Sequence, residues 1–198
     1  MHLLSTRFRY GAVAQVFHWL TAILVVAAYY MGPGGSEQQV YSSAVDFTRQ
    51  THETLGITVF ALVSVRILWR LVDTAPEDPP MQPWMRYSAK LVHVVLYVLL
   101  IAAPVSAVVG AWLEGHPLTL WGFGNIDPML SPVHDVGVSV AALHPILGDV
   151  ILWVAGLHAV AALFHHFFLR DSVLLSMLPW PPLRASGKSS SQTVQVGP

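Results

Sequence analysis

Four histidines carry the chemistry that this chain can do. His144 and His158 lie fourteen residues apart within one apolar stretch, and His18 and His52 lie in two earlier ones. On an α-helix, fourteen residues is about 21 Å of rise and, at about 100° per residue, a return to nearly the same face. His144 and His158 therefore present one imidazole near each side of a bilayer, aimed the same way. If the chain crosses back and forth, His18 shares the depth of His158, and His52 that of His144. An ionisable side chain inside a membrane span is costly and marks function. Two imidazole pairs at two depths suit two b-type haems, each iron held by histidine from both faces. The expected pairs are His18 with His158 on the inner side and His52 with His144 on the outer side. An iron so filled passes electrons rather than binding oxygen.

Other residues extend this pattern. His52-Glu53-Thr54-Leu55-Gly56 and His144-Pro145-Ile146-Leu147-Gly148 share the spacing H-x-x-x-G. A glycine one turn after the ligand leaves room for a flat macrocycle, although small residues also serve helix packing. His93 is expected at the depth of the inner pair, as a haem contact, a quinone-site support or a local hydrogen-bond donor. His165 lies seven residues beyond His158, on nearly the same face and about 10 Å nearer the inner surface. With His166 it is a candidate quinone site, the alternative being an interfacial anchor beside Phe167, Phe168 and Arg170. Arg7, Arg9, Arg70 and Lys90 are candidate partners of haem propionates. His116 and His134 fall in an outer loop and are expected to be solvated.

The elements that must hold these residues follow from hydropathy. The chain has 198 residues, 54% hydrophobic and 11% charged, with mean hydropathy +0.56. A soluble domain carries about 25% charged residues, so this is membrane composition. Four stretches, roughly 12–31, 52–72, 89–113 and 143–169, are long enough to span about 30 Å of hydrocarbon. The expected fold is an all-α integral membrane four-helix bundle. The first stretch exceeds the usual h-region of a signal peptide and is expected to be a retained span. Arg7, Arg9, Arg66, Arg70, Arg86, Lys90, Arg170, Arg184 and Lys188 fall on one side, and Arg49 alone on the other. The positive-inside rule then puts both termini in the cytoplasm. Residues 1–183 are expected to form one four-span di-haem domain, and the Ser-rich segment 184–198 a disordered cytoplasmic tail. A net charge of -1 gives no basis for nucleic-acid binding, and the absence of cysteine removes thiolate, iron–sulfur and covalent haem ligation.

The chain resembles the bacterial cytochrome b-561 family. The resemblance rests on Phe17-His18-Trp19-Leu20, His52-Glu53-Thr54-Leu55-Gly56, the Leu91–Leu100 run with His93, and above all Gly156-Leu157-His158-Ala159-Val160-Ala161-Ala162-Leu163-Phe164-His165-His166. It extends from about Arg7 to Pro179. It implies a multi-pass protein of the bacterial inner membrane with two b haems on the four histidines named above. It further implies oxidation of periplasmic superoxide and reduction of ubiquinone. Arg49, three residues before His52, is then the outer cation available to attract an anionic donor. Two alternatives stand beside this reading. One is a non-catalytic di-haem subunit that takes electrons from a periplasmic redox partner. The other is a histidine-bearing transporter or ion-binding membrane protein without haem.

Overall fold

The computed structural model describes residues 2–179. The segment 184–198 lies outside the described residues. Four helices are long and apolar enough to cross a membrane. They are α1 (Ala12–Tyr30), α3 (Asp46–Val72), α4 (Pro83–Glu114) and α6 (Leu143–Phe164). The shorter elements are α2 (Glu37–Val40), a hairpin of β1 (Leu118–Leu120) and β2 (Gly124–Ile126), α5 (His134–Ala141) and α7 (Val173–Met177).

Local sequence explains where the helices stop. α1 ends before Gly32-Pro33-Gly34-Gly35, where proline lacks the donor a helix needs and Gly35 takes φ +122°. α4 opens on Pro83, whose missing N–H is spare at a first helical position. It closes on Gly115 at φ +88°, a left-handed cap that glycine adopts without a Cβ penalty. α3 and α4 begin earlier than hydropathy indicated, at Asp46 and Pro83, because their first turns are polar but still helical. The last span leaves α-geometry after Phe164 and continues as a π-helical turn over His165–Leu169.

α1 packs on α3, α3 on α4, and α4 on both α5 and α6. Glycines mediate the tightest approach. A Cβ at Gly110 would stand 2.8 Å from Ala141, and one at Gly137 would stand 2.8 Å from Glu114. Among the described residues the buried apolar side chains are few, while Ile23, Val98, Leu71 and Trp153 are 62%, 61%, 80% and 76% exposed. So much apolar surface on four long helices is the outer face of a lipid-embedded bundle.

The two ends of the bundle differ. At one end the N-terminal segment is tied to the α3–α4 connection and to the C-terminal region. Ser5 Oγ donates to Asp73 at 2.6 Å, Arg7 pairs with Glu77 at 2.8 Å, and Tyr10 N–H reaches Ser176 O at 3.2 Å. Both ends of the described chain thus lie on the basic side, the inner side of the sequence reading. At the other end the hairpin covers the start of α3. Trp121 N–H donates to Thr54 Oγ1 at 3.0 Å, and Thr119 N–H donates to Glu53.

Candidate functional site

At the outer end, His52 on α3 and His144 on α6 bring their Nε2 atoms to 3.4 Å. Their rings cross at 82°, with centroids 5.6 Å apart. The other nitrogen of each ring is held by backbone. His52 Nδ1 lies 2.7 Å from Ala28 O on α1, and His144 Nδ1 lies 2.8 Å from Ala103 O on α4. The Ala28 carbonyl is free for this because α1 ends. The Gly32 N–H that would have reached it turns to Tyr29 O instead. A carbonyl can only accept, so each Nδ1 carries the proton and each Nε2 offers its lone pair inward. This orienting arrangement is typical of metal-bound histidine. All four long helices contribute to it.

The space beside these rings is open. A cavity of about 700 Å³ is lined by His52, His144, Gly56, Gly148, Arg49 and Glu53, among others. A Cβ at Gly56 would meet nothing within 4 Å, and one at Gly148 only Tyr29 at 3.9 Å. The two H-x-x-x-G glycines therefore face a void rather than a neighbouring helix, unlike Gly110 and Gly137. The converging lone pairs, the fixed tautomers and the void fit a flat, axially ligated prosthetic group.

At the inner end three imidazoles gather. The His18 and His158 ring centroids are 6.4 Å apart, and His93 stands nearer to His158, at 5.2 Å. Arg66 joins them from α3, with Nη1 3.3 Å from His18 Nδ1 and its guanidinium 5.7 Å from the Tyr97 ring centre. A guanidinium has no lone pair to offer, so this contact makes His18 Nδ1 the acceptor. Imidazole ligation through Nε2 needs the reverse tautomer. If His18 ligated through Nε2, Arg66 would have to leave its Nδ1 for an anion, which a carboxylate on a bound group would supply. The His93 ring stands edge-on to His158.

Other expected residues fall as follows. His165 Nδ1 is hydrogen-bonded to Asp171, across the turn that Arg170 makes at φ +55°. His166 stands edge-on to Phe167 at 4.9 Å. Arg49 is not a solvated surface arginine. It is 12% exposed, pairs with Asp46 and Glu53 at 2.9 Å each, and lies over Tyr41. Its Nε is buried without a partner. Arg7 is engaged by Glu77, and Arg70 lies over the Tyr10 ring. His116 also departs from expectation. It is half-buried, stacked on Tyr41 at 3.6 Å and bonded to Glu37 at 2.8 Å. Burial pushes the Tyr41 phenol up to about 12, and the charges of Glu53 and Glu114 act in the same direction.

Arg66 and Asp171 were not singled out in the sequence. Arg66 had a signal: it lies fourteen residues after His52, the same spacing that links His144 to His158. Asp171 had none, because its approach to His165 depends on the π-helical turn and the left-handed Arg170.

Comparison with known proteins identifies the family. The model of the prokaryotic cytochrome b561 family matches residues 9–180. The chain is 29% identical to "Cytochrome b561 homolog 2" of Escherichia coli (strain K12), over 96% of this chain and 98% of that protein. It is 31% identical to "Probable superoxide oxidase CybB" of Yersinia pestis, over 86% of this chain and 96% of that protein. It is 28% identical to "Cytochrome b562" of Cereibacter sphaeroides, over 85% and 94%. With four spans and histidine clusters at both ends of the bundle, the chain belongs to the prokaryotic cytochrome b561 family, whose members carry haem b and transfer electrons in the membrane.

Proposed function

We propose that this protein is a di-haem superoxide:ubiquinone oxidoreductase of the bacterial inner membrane, with both termini cytoplasmic. The observation that carries the reading is the pair of imidazole clusters at two depths of one bundle, His52 with His144 and His18 with His158 and His93. His52 and His144 would hold the outer haem, and His158 with His18 the inner one. Bound there, the haems supply one-electron carriers whose potentials the protein tunes through ligands, hydrogen bonds and burial. The chain keeps the path dry and fixes its ends. Ala28 and Ala103 hold the outer rings, Gly56 and Gly148 leave space beside them, and Arg66 supplies a half-buried positive charge at the inner site.

The reaction balances as two superoxide anions giving two O2 and two electrons. Those electrons and two protons convert one ubiquinone to ubiquinol. The protons come from the inner side, where His165 and His166 lie beyond the inner cluster. With Asp171 accepting from His165 Nδ1, the Nε2 lone pair of that ring is left to take up a proton from the inner side and pass it to the reduced quinone, and Asp171 backs that relay. The 31% identity to a probable superoxide oxidase supports the choice of donor.

A second reading has its own observation. Asp46 and Glu53 neutralise Arg49, and Glu37 and Glu114 line the same mouth. An acidic mouth suits a basic redox protein better than a small anion. Superoxide generated beside the purified protein distinguishes the two. Prompt reduction of the haem bands, followed by reoxidation on adding ubiquinone, supports the oxidoreductase. No reduction by superoxide moves the assignment to a di-haem subunit serving a periplasmic partner. Arg49→Glu should slow reduction by superoxide, most at low salt, and leave quinone reduction unchanged.

A further inference from the structure

Above the outer cavity stands a cluster that the electron path does not use. Glu37, Glu114 and His116 bring one ligand atom each to within 4.8 Å of one another. His134 adds a fourth group, its Nε2 3.9 Å from Glu37 Oε2. The four residues come from the start of α2, the end of α4, the residue after its glycine cap, and the start of α5. Each is positioned by local structure. The left-handed Gly115 returns the chain so that His116 N–H bonds to Ala111 O at 2.8 Å, and the Tyr41 ring lies flat on the imidazole. Gly137 lets α5 press against Glu114.

The charges are not otherwise settled. Among the described residues no lysine or arginine forms an ion pair with Glu37 or Glu114, whereas the neighbouring Glu53 and Asp46 share Arg49. Two carboxylates and the His116 imidazole, all half-buried, with the exposed His134 beside them, form an N/O donor set for a divalent transition metal of the zinc class.

We propose that Glu37, Glu114 and His116, completed by His134, bind one zinc-class divalent cation on the outer face of the bundle. His116 Nε2 already faces Glu37 Oε1 at 2.8 Å. The ion ties α2, α4 and α5 together over the mouth of the cavity that Glu37 and Glu114 also line. It also places positive charge where this end of the molecule has an excess of carboxylates. The site does not depend on whether the haems are present.

Titration calorimetry of the chelator-treated haem protein in lipid nanodiscs, with Zn2+ as the probe, tests this. One Zn2+ per chain should bind saturably. His116→Asn and Glu114→Gln should each weaken binding by about tenfold or more, and His116→Asn should leave the haem spectrum unchanged. Thermal unfolding gives a second measure: Zn2+ should raise the Tm of the original protein but not that of the two variants. The proposal is overturned if the original protein shows no saturable site, or if either variant binds Zn2+ as the original does.

Discussion

Arg66 reaches His18, its Nη1 3.3 Å from Nδ1, from a position fourteen residues beyond His52 on the same helix. The same helical interval therefore places an imidazole at the outer cluster and a guanidinium at the inner one. A half-buried guanidinium favours an anionic partner, and His18 and Tyr97 lie against it. A propionate of the inner haem would complete it.

Removing that charge should lower the midpoint potential of the inner haem, because a nearby cation stabilises the more negative, reduced state. Arg66→Met is expected to shift it down by about 60 mV, the size of a tenfold change for a one-electron couple. Arg66→Lys should shift it less. Spectroelectrochemical titration resolves the two haems. An unchanged potential in Arg66→Met would show that the guanidinium does not face the haem.

The glycines separate into two kinds with opposite expected behaviour. A side chain at Gly56 meets nothing within 4 Å, so Gly56→Leu should leave the bundle folded but displace the outer haem. Gly110→Ala places its methyl 2.8 Å from Ala141 and should cost about 1–3 kcal/mol of stability by overpacking. Haem content and detergent-resistance measurements on the two variants check the contrast. Equal haem loss in both would remove the distinction.

Asp171→Asn should slow electron exit to quinone while leaving reduction by superoxide unaffected, because the change lies at the inner end, on the partner of His165. A loss of about 10²-fold is the scale for impaired positioned acid–base catalysis. Stopped-flow measurement of the two half-reactions separates them. Equal effects on both would place Asp171 in folding rather than in proton delivery.

A reporter fused after Pro198 should work only if it is active in the cytoplasm, because the positive-inside rule puts the side that carries Arg7, Arg9, Arg66, Arg70, Arg86, Lys90 and Arg170 there. Activity of a periplasm-only reporter there would reverse every side assignment.

Much of this was legible in the sequence because helical spacing and hydropathy are local properties. The four spans, the two depths and the approach of His52 to His144 all follow from counting residues. The span starts at Asp46 and Pro83 were not legible, since hydropathy registers lipid contact and not helical backbone. The glycine voids were ambiguous, because the pattern at Gly56 resembles that of a packing glycine. His116 looked solvated because its partners Tyr41 and Glu37 lie more than seventy residues earlier in the chain. The place of the His93 ring was not legible for a related reason. Depth alone could not show that α4 carries its ring closer to His158 than α1 carries His18.

The central claim is that one chain holds two haems at two depths. The most direct test is the pyridine haemochromogen content of the purified protein, set beside that of His144→Ala and His158→Ala. The account predicts two haem b per chain in the original and one in each variant, the outer haem lost with His144 and the inner with His158. One haem or none in the original protein would contradict it.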